Sequence, residues 1–324
     1  MKNVLRTLIL VGAIAASLQT GFAQTGQPFD YGAPANYQSA MSQVSDLAKL
    51  VNAQPRPANV QVQSTSSGLP VIYTRGANAL LKVATPSQIN QIVSIYWHDA
   101  RQGNPVAQFS LGIIYTVGVG VPRDPTAAVQ WYRLAAEQGA VDAQINLGSM
   151  LSNGDGVPTN HAEAVKWYRM AALKGDSTAQ ANLGWKYRDG QGVERSDDQA
   201  VAWFKKSADQ QDPDGQNALG EMLASGSGIS RDDQAAMEHY RKAAEQNDPR
   251  ALNNIGEMYQ QGRTVPVSNA EAVWWYGRAS QRGYAPAKIN LAKMYAAGKG
   301  VPKSEEDAGF LYQQAAALSD QKKL

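Results

Sequence analysis

Residues 141–176 read VDAQINLGSMLSNGDGVPTNHAEAVKWYRMAALKGD, and this stretch decides the fold. Ala143, Leu147 and Leu151 are spaced by four, which puts them on one face of a helix turning ~100° per residue. Gly154-Asp-Gly-Val157 then breaks the helix, because glycine takes a positive φ at no steric cost and the valine can tuck back inward. After Asn160, whose side chain can accept from an unpaired first-turn N–H, a second helix runs through Ala164, Trp167-Tyr168 and Ala171-Ala172 to Gly175. The stretch is a helical hairpin, with a helix A and a helix B.

The same hairpin fills residues 105–140, 141–176, 177–212, 213–248, 249–284 and 285–320, without insertion or deletion. Its large apolar residue recurs as Leu111, Leu147, Leu183, Leu219, Ile255 and Leu291. Glycine follows in every unit except the sixth, which has Ala292. The helix B cap is Asp124, Asn160, Ser196, Asp232, Ser268 or Ser304, and Glu163, Gln199, Glu271 and Asp307 stand three residues later, which approximates a capping box. Upstream, Thr85-Pro-Ser-Gln88 opens a further helix in register with helix B, a half repeat over residues 85–104 that covers the first edge of the array.

The chain has 324 residues, 43% of them hydrophobic, so it is not a disordered chain. It has no cysteine, which excludes disulfide scaffolds, thiolate nucleophiles and zinc fingers together. With 30 Lys+Arg against 28 Asp+Glu there is no broad positive field, and nucleic acid is not an expected partner. Met1 to Ala23 carries Lys2 and Arg6, an apolar run from Leu8 to Leu18 and then Gly21-Phe-Ala23, the pattern of a cleaved secretory signal peptide. The run is shorter than the ~20 residues of a spanning helix, so no membrane span is expected after cleavage. Removing the two leader charges leaves 28 positive and 28 negative residues, a formally neutral chain. Between the leader and the array, residues 24–84 are partly disordered in this reading. They hold one short helix on Met41, Val44, Ala48 and Val51, a polar linker from Gln54 to Pro70 and an apolar piece, Leu69 to Tyr73, that reads as a strand. Residues 321–324 form a tail.

The unit A-x-x-x-L-G-x-x-Y-x-x-G-x-G-V, continued by x-x-D-x-x-x-A-x-x-W-Y-x-x-A-A-x-x-G, resembles the Sel-1-like repeat family, a relative of the tetratricopeptide repeats. Ala107, Leu111-Gly112, Tyr115, Gly118, Gly120-Val121, Asp124, Ala128, Trp131-Tyr132, Ala135-Ala136 and Gly139 carry the resemblance, which covers about two thirds of the chain. It implies an all-α, right-handed superhelical solenoid of antiparallel helix pairs that serves as an adaptor, with no chemistry and no cofactor. Some secreted members of the family are stapled by disulfides; here packing and capping must suffice. The fourth unit departs most, with Gly215 for the helix A alanine, His239 for the helix B tryptophan and Asn247 for the closing glycine, and is expected to be the softest.

Chemistry finds little support. His98, His161 and His239 occupy three different places in the repeat frame and do not form a metal site. Ser319-Asp-Gln-Lys322 has an S-x-x-K spacing without the companion motifs that make such a serine a nucleophile. The G-x-G-V turns lack the strand and the Lys-Ser/Thr of a phosphate loop. Trp131, Trp167, Trp203 and Trp275 recur in register with small alanines and read as core fillers between hairpins.

One face of helix A rises above packing. Counting from the core alanine as zero, position three is asparagine in four units, Asn146, Asn182, Asn254 and Asn290, while position six varies as Ile113, Ser149, Trp185, Glu221, Glu257 and Lys293. Two readings fit. The amides either bond between neighbouring helices, or they grip an extended partner backbone while the varied row selects its side chains. Trp185, outside the core stripe, reads as an interface anchor whose truncation leaves stability unchanged. The expected partner-binding set is Asn146, Asn182, Trp185, Asn254, Glu257 and Asn290.

The expected function is a non-catalytic periplasmic or secreted bacterial scaffold that holds a protein or peptide of the cell envelope along helix A. The alternative is a peptidoglycan- or exopolysaccharide-binding envelope protein whose aromatic rings stack on sugars. Phe310 and Leu311 on the last helix B are expected to form an uncovered apolar edge through which the chain self-associates.

Overall fold

The structure, a computed structural model, describes residues 84–321. The leader, the expected short helix and the expected strand all lie outside the described residues. So do residues 322–324.

Among the described residues there are thirteen α-helices and no strand. The stretch expected to be a half repeat holds α1, Pro86–Arg101. The A helices are α2 (Pro105–Val117), α4 (Val141–Asn153), α6 (Ser177–Asp189), α8 (Pro213–Ser225), α10 (Pro249–Gln261) and α12 (Ala285–Ala297). The B helices are α3 (Pro125–Glu137), α5 (His161–Leu173), α7 (Asp197–Asp209), α9 (Asp233–Glu245), α11 (Asn269–Gln281) and α13 (Glu305–Gln321). The helices fall into two compact units, one ending at Thr159 and the other beginning at Asn160. In the first, α1, α2, α3 and α4 pack in sequence; in the second, α5 to α13 do the same, each helix against the next.

Every helix B from α3 to α11 starts at the expected cap, and the Asp124 and Asp232 carboxylates, for example, accept from the Ala127 and Ala235 N–H groups at 3.0 and 2.9 Å. The reciprocal capping box is complete at Thr85 and Gln88, at the start of α1. Helix A is capped as well, by Asn104, Asp176, Asp212 and Asp248. Each A helix ends at a left-handed glycine, from Gly118 to Gly298. The second turn glycine runs tight against the preceding repeat: a Cβ on Gly228 would stand 2.5 Å from the Asp197 carbonyl oxygen. Thr264 takes that place in the fifth unit and accepts φ 63°.

The core differs from expectation at one row. The helix B tryptophans are only half-buried; the next residue does the filling, and Tyr132, Phe204, Tyr240 and Tyr276 are at most 4% exposed. The i and i+1 positions lie ~100° apart on a helix, so only one of the pair can point into the hairpin. Each of these rings lies against the glycine of the facing helix A, Gly112, Gly184, Gly220 or Gly256. In the sixth unit, where Ala292 carries a methyl group at that place, Tyr312 is 42% exposed.

The fourth unit is compensated at two of its three departures. Gly215 faces Ser207, which stands where other B helices have alanine, and a Cβ on the glycine would come within 2.5 Å of the serine Cβ. His239 donates from Nδ1 to Gln216 Oε1 at 2.6 Å. Asn247 holds φ 62° in place of glycine.

Buried glutamines at position one join helix A to the end of the preceding helix B. The Nε2 atoms of Gln108, Gln144, Gln180 and Gln216 donate to the carbonyls of Ala100, Ala136, Ala172 and Ala208 at 2.6–3.2 Å. The last turn of a helix leaves its carbonyls without i+4 partners; each of these four accepts one N–H from the turn that follows, and the amide supplies a second bond inside the core.

Candidate partner-binding face

The face of interest lies in the second unit, on α6, α8, α10 and α12. Their 13-residue length and common register carry positions two, three, six and nine of each helix to the same side of the next. In the fourth unit, Asn217 at position two is fully buried and donates to Glu221 Oε1, one turn on, at 2.8 Å. From the next helix Asn254 donates to Asn217 Oδ1 at 2.9 Å and to the same Glu221 oxygen at 3.5 Å. From the preceding helix, Arg188 at position nine reaches Glu221 Oε2 at 3.2 Å. Two amides and one guanidinium thus enclose one carboxylate.

The fifth unit repeats the arrangement. Asn253 donates to Glu257 Oε1 at 2.9 Å, and Asn290 donates to Asn253 Oδ1 at 2.9 Å and to Glu257 Oε1 at 3.3 Å. Position nine of the preceding helix is here Ala224, so no arginine arrives.

Burial pushes the Glu221 carboxyl above the usual range, while the hydrogen bond from Asn217, the charge of Arg188 and the hydrogen bond from Asn254 pull it back. Burial likewise raises Asp248, which caps α10 and pairs with Arg250 at 3.0 Å. Arg250 also binds Asp214.

The expected set divides in the structure. Asn254, Glu257 and Asn290 come together in the ladder, where both asparagines bond to the neighbouring A helix, the first of the two readings open in the sequence. Asn146, on α4, lies near the Tyr132 hydroxyl, whose hydrogen-bond partner is Thr116 at 3.2 Å. Asn182 is half-buried on α6. Trp185 is not a free anchor: it is half-buried, its ring edge-on to Phe204 at 4.9 Å and overlaid by Arg188 at 4.0 Å. Position six lies close enough to the core arc for an indole to lean back into it.

Sequence reasoning passed over Asn217, Asn253 and Arg188. The signal was present as Asn-x-x-x-Glu, at Asn217 and Glu221 and again at Asn253 and Glu257, one helical turn apart in the same frame of consecutive units. Among the described residues, no group of three or more His, Cys, Asp or Glu side chains could hold a metal ion, and no helix is long and apolar enough to cross a membrane.

Comparison with known proteins identifies the repeat. The Sel1 repeat family matches at residues 105–139, 141–176, 177–212, 213–248, 249–284 and 285–320. The crystal structure of a Sel1 repeat protein from Oxalobacter formigenes is 29% identical, covers 75% of this chain and 96% of that one, and superposes with a TM-score of 0.67. The crystal structure of c5321, a protective antigen present in uropathogenic Escherichia coli strains displaying an SLR fold, is 38% identical with a TM-score of 0.58. That match covers 69% of this chain and 48% of the other, so the similarity spans about half of the antigen. No curated protein matches the chain.

Proposed function

The chain belongs to the Sel1 repeat family, and from that premise we propose that it is a periplasmic or secreted bacterial scaffold that holds a protein or peptide along the helix A face. Sel1-repeat proteins generally mediate protein–protein interaction, and the family is typically non-catalytic. The leader-like residues 1–23 support the envelope location.

The observation that carries the reading is the ladder between α8, α10 and α12. Amides at positions two and three tie neighbouring helices together and hold the position-six carboxylates of Glu221 and Glu257, in a row that carries Trp185 before them and Lys293 after. A rigid spacing with variable chemistry suits selective recognition, because preformed groups lose little freedom on binding. Asn182 and Trp185 extend this face on α6, and Asn146 belongs to the corresponding face of the first unit.

Photocrosslinking in living cells tests the proposal. A photoreactive residue at Lys293, exposed at position six, should capture a defined partner that the same residue at Glu238, exposed on the outer side of α9, does not. Equal capture from both positions, or from neither, would remove the helix A assignment.

A second reading, an envelope polysaccharide, is favoured by one observation. Trp274 is 54% exposed, edge-on to Trp275 at 4.7 Å, with Arg278 5.0 Å from its ring. Stacking on a sugar requires such a free face. Co-sedimentation with purified peptidoglycan separates the two readings: retention that is lost on Trp274→Ala would favour the polysaccharide.

A further inference from the structure

The carboxylate boxes at Glu221 and Glu257 are built from the same parts but differ in occupancy. Position two of the same helix supplies Asn217 in one and Asn253 in the other; position three of the next helix supplies Asn254 and Asn290. The cross-links Asn254 to Asn217 and Asn290 to Asn253 are both 2.9 Å. In the first box the remaining oxygen, Glu221 Oε2, receives the Arg188 guanidinium. In the second, both amides converge on Glu257 Oε1, and Ala224 stands where the arginine would originate.

Nearby cations are committed elsewhere or stand apart. Arg263 donates to Asp233 and to the Ala224 carbonyl, the latter at 2.7 Å. Arg250 is held by Asp214 and Asp248. Lys293, at position six of the next helix, is exposed, and among the described residues no lysine or arginine pairs with Glu257. A half-buried carboxylate oriented by two amides and lacking a counter-ion is a preorganised acceptor for a charge-assisted hydrogen bond.

We propose that the Glu257 box is a pocket for a single arginine or lysine side chain of a partner protein, which enters over Ala224 and takes the place that Arg188 fills in the preceding repeat. The inference rests on the reading of helix A as the binding face and names the partner's contact residue. The preceding repeat supplies the template: the same amides and carboxylate already accommodate a guanidinium, delivered from one helix away. Charge complementarity, with the Arg188 precedent, selects a basic side chain over a neutral or acidic one.

An array of decapeptides provides the test, each peptide carrying arginine, lysine, citrulline or glutamine at a set position and probed with the full chain. Peptides with arginine or lysine should be retained at least tenfold better than their citrulline or glutamine counterparts. Glu257→Gln should abolish that preference. Ala224→Arg, which restores the cation in cis, should abolish it too, and circular dichroism melts should show both variants folded. Retention of peptides regardless of their basic residue, and equally by both variants, would overturn the box while leaving helix A recognition standing. Absence of retained peptides, combined with failed crosslinking from position 293, would overturn both.

Discussion

Tyr276 lies so close to Gly256 that a Cβ built on the glycine would stand 2.7 Å from the ring. The contact is the hinge pin of the hairpin: a flat aromatic face on helix B meets bare backbone on helix A, and the two helices approach accordingly. Gly256→Ala forces the ring out of its place, and overpacking of this kind costs about 1–3 kcal/mol. Gly277, also helical but with nothing within 4 Å of its Cβ position, is the control. Gly277→Ala should gain about 0.5–1 kcal/mol from helix propensity. Urea denaturation of the two variants checks the contrast; equal effects would remove the ring contact as the reason for the glycine.

Trp185→Ala should lower stability by about 2 kcal/mol, less than the loss at a fully buried aromatic because the ring is half-buried. This departs from the expectation of an unchanged melting temperature, since the indole rests on Phe204 and carries Arg188 on its face. Asn182→Ala should stay within about 0.5 kcal/mol of the parent. Thermal melts of both variants decide whether residue 185 can be used to probe binding at all.

His239 gives the fourth unit a pH dependence. Burial first, and then Lys242, lower its pKa below the ordinary imidazole value. The unfolded chain therefore takes up the proton first, and stability is lost as pH falls through the unfolded value of ~6.5. Asp176, Glu221 and Asp248, raised by burial, act in the opposite sense at lower pH, because their native forms bind protons first. The histidine is isolated by comparing the parent with His239→Phe between pH 7.5 and 5.5. The parent should lose more stability than the variant, and parallel profiles would refute the assignment.

Phe310 is 60% and Tyr312 42% exposed on α13, with Leu311 between them packed against the core. Two residues place these rings ~200° apart on the helix, one on each side of Leu311, and exposed aromatic surface of this kind favours association. Light scattering should find a dimer or larger species at high protein concentration, and Phe310→Glu should shift it to monomer. A strict monomer in the parent would refute the prediction.

Much of the fold was legible because it is local. The spacing of Leu147 and Leu151, the Gly154 stop and the Asn160 cap each act within a few residues, and six copies in one register make a local signal unmistakable. The caps of helix A are equally local, but Asp176, Asp212 and Asp248 closely follow the end of the preceding helix B, and only their bonds to the next helix show that they open it. The Trp-Tyr pair was misassigned because neighbouring residues on a helix both look apolar, and only the facing Gly112 or Gly256 says which ring is admitted.

The candidate face was legible in part. Position three announced its asparagines, yet their partners at position two and their two carboxylates come from different helices, 33 to 37 residues apart in the chain. A repeat frame shows which residues share a position; it does not show which position of one helix meets which position of the next.

By itself the sequence determined the helical hairpin, its register, its caps and the absence of cysteine chemistry, because backbone hydrogen bonding, apolar periodicity and residue type are properties of short segments. Only the tertiary structure decided that Tyr276 rather than Trp275 fills the core, that Asn254 and Asn290 tie neighbouring helices, and that Glu221 holds Arg188 while Glu257 pairs with no lysine or arginine among the described residues. Those outcomes depend on the approach of one helix to another: within a hairpin it is set by bare glycine backbone against an aromatic ring, and between hairpins by the register of successive A helices.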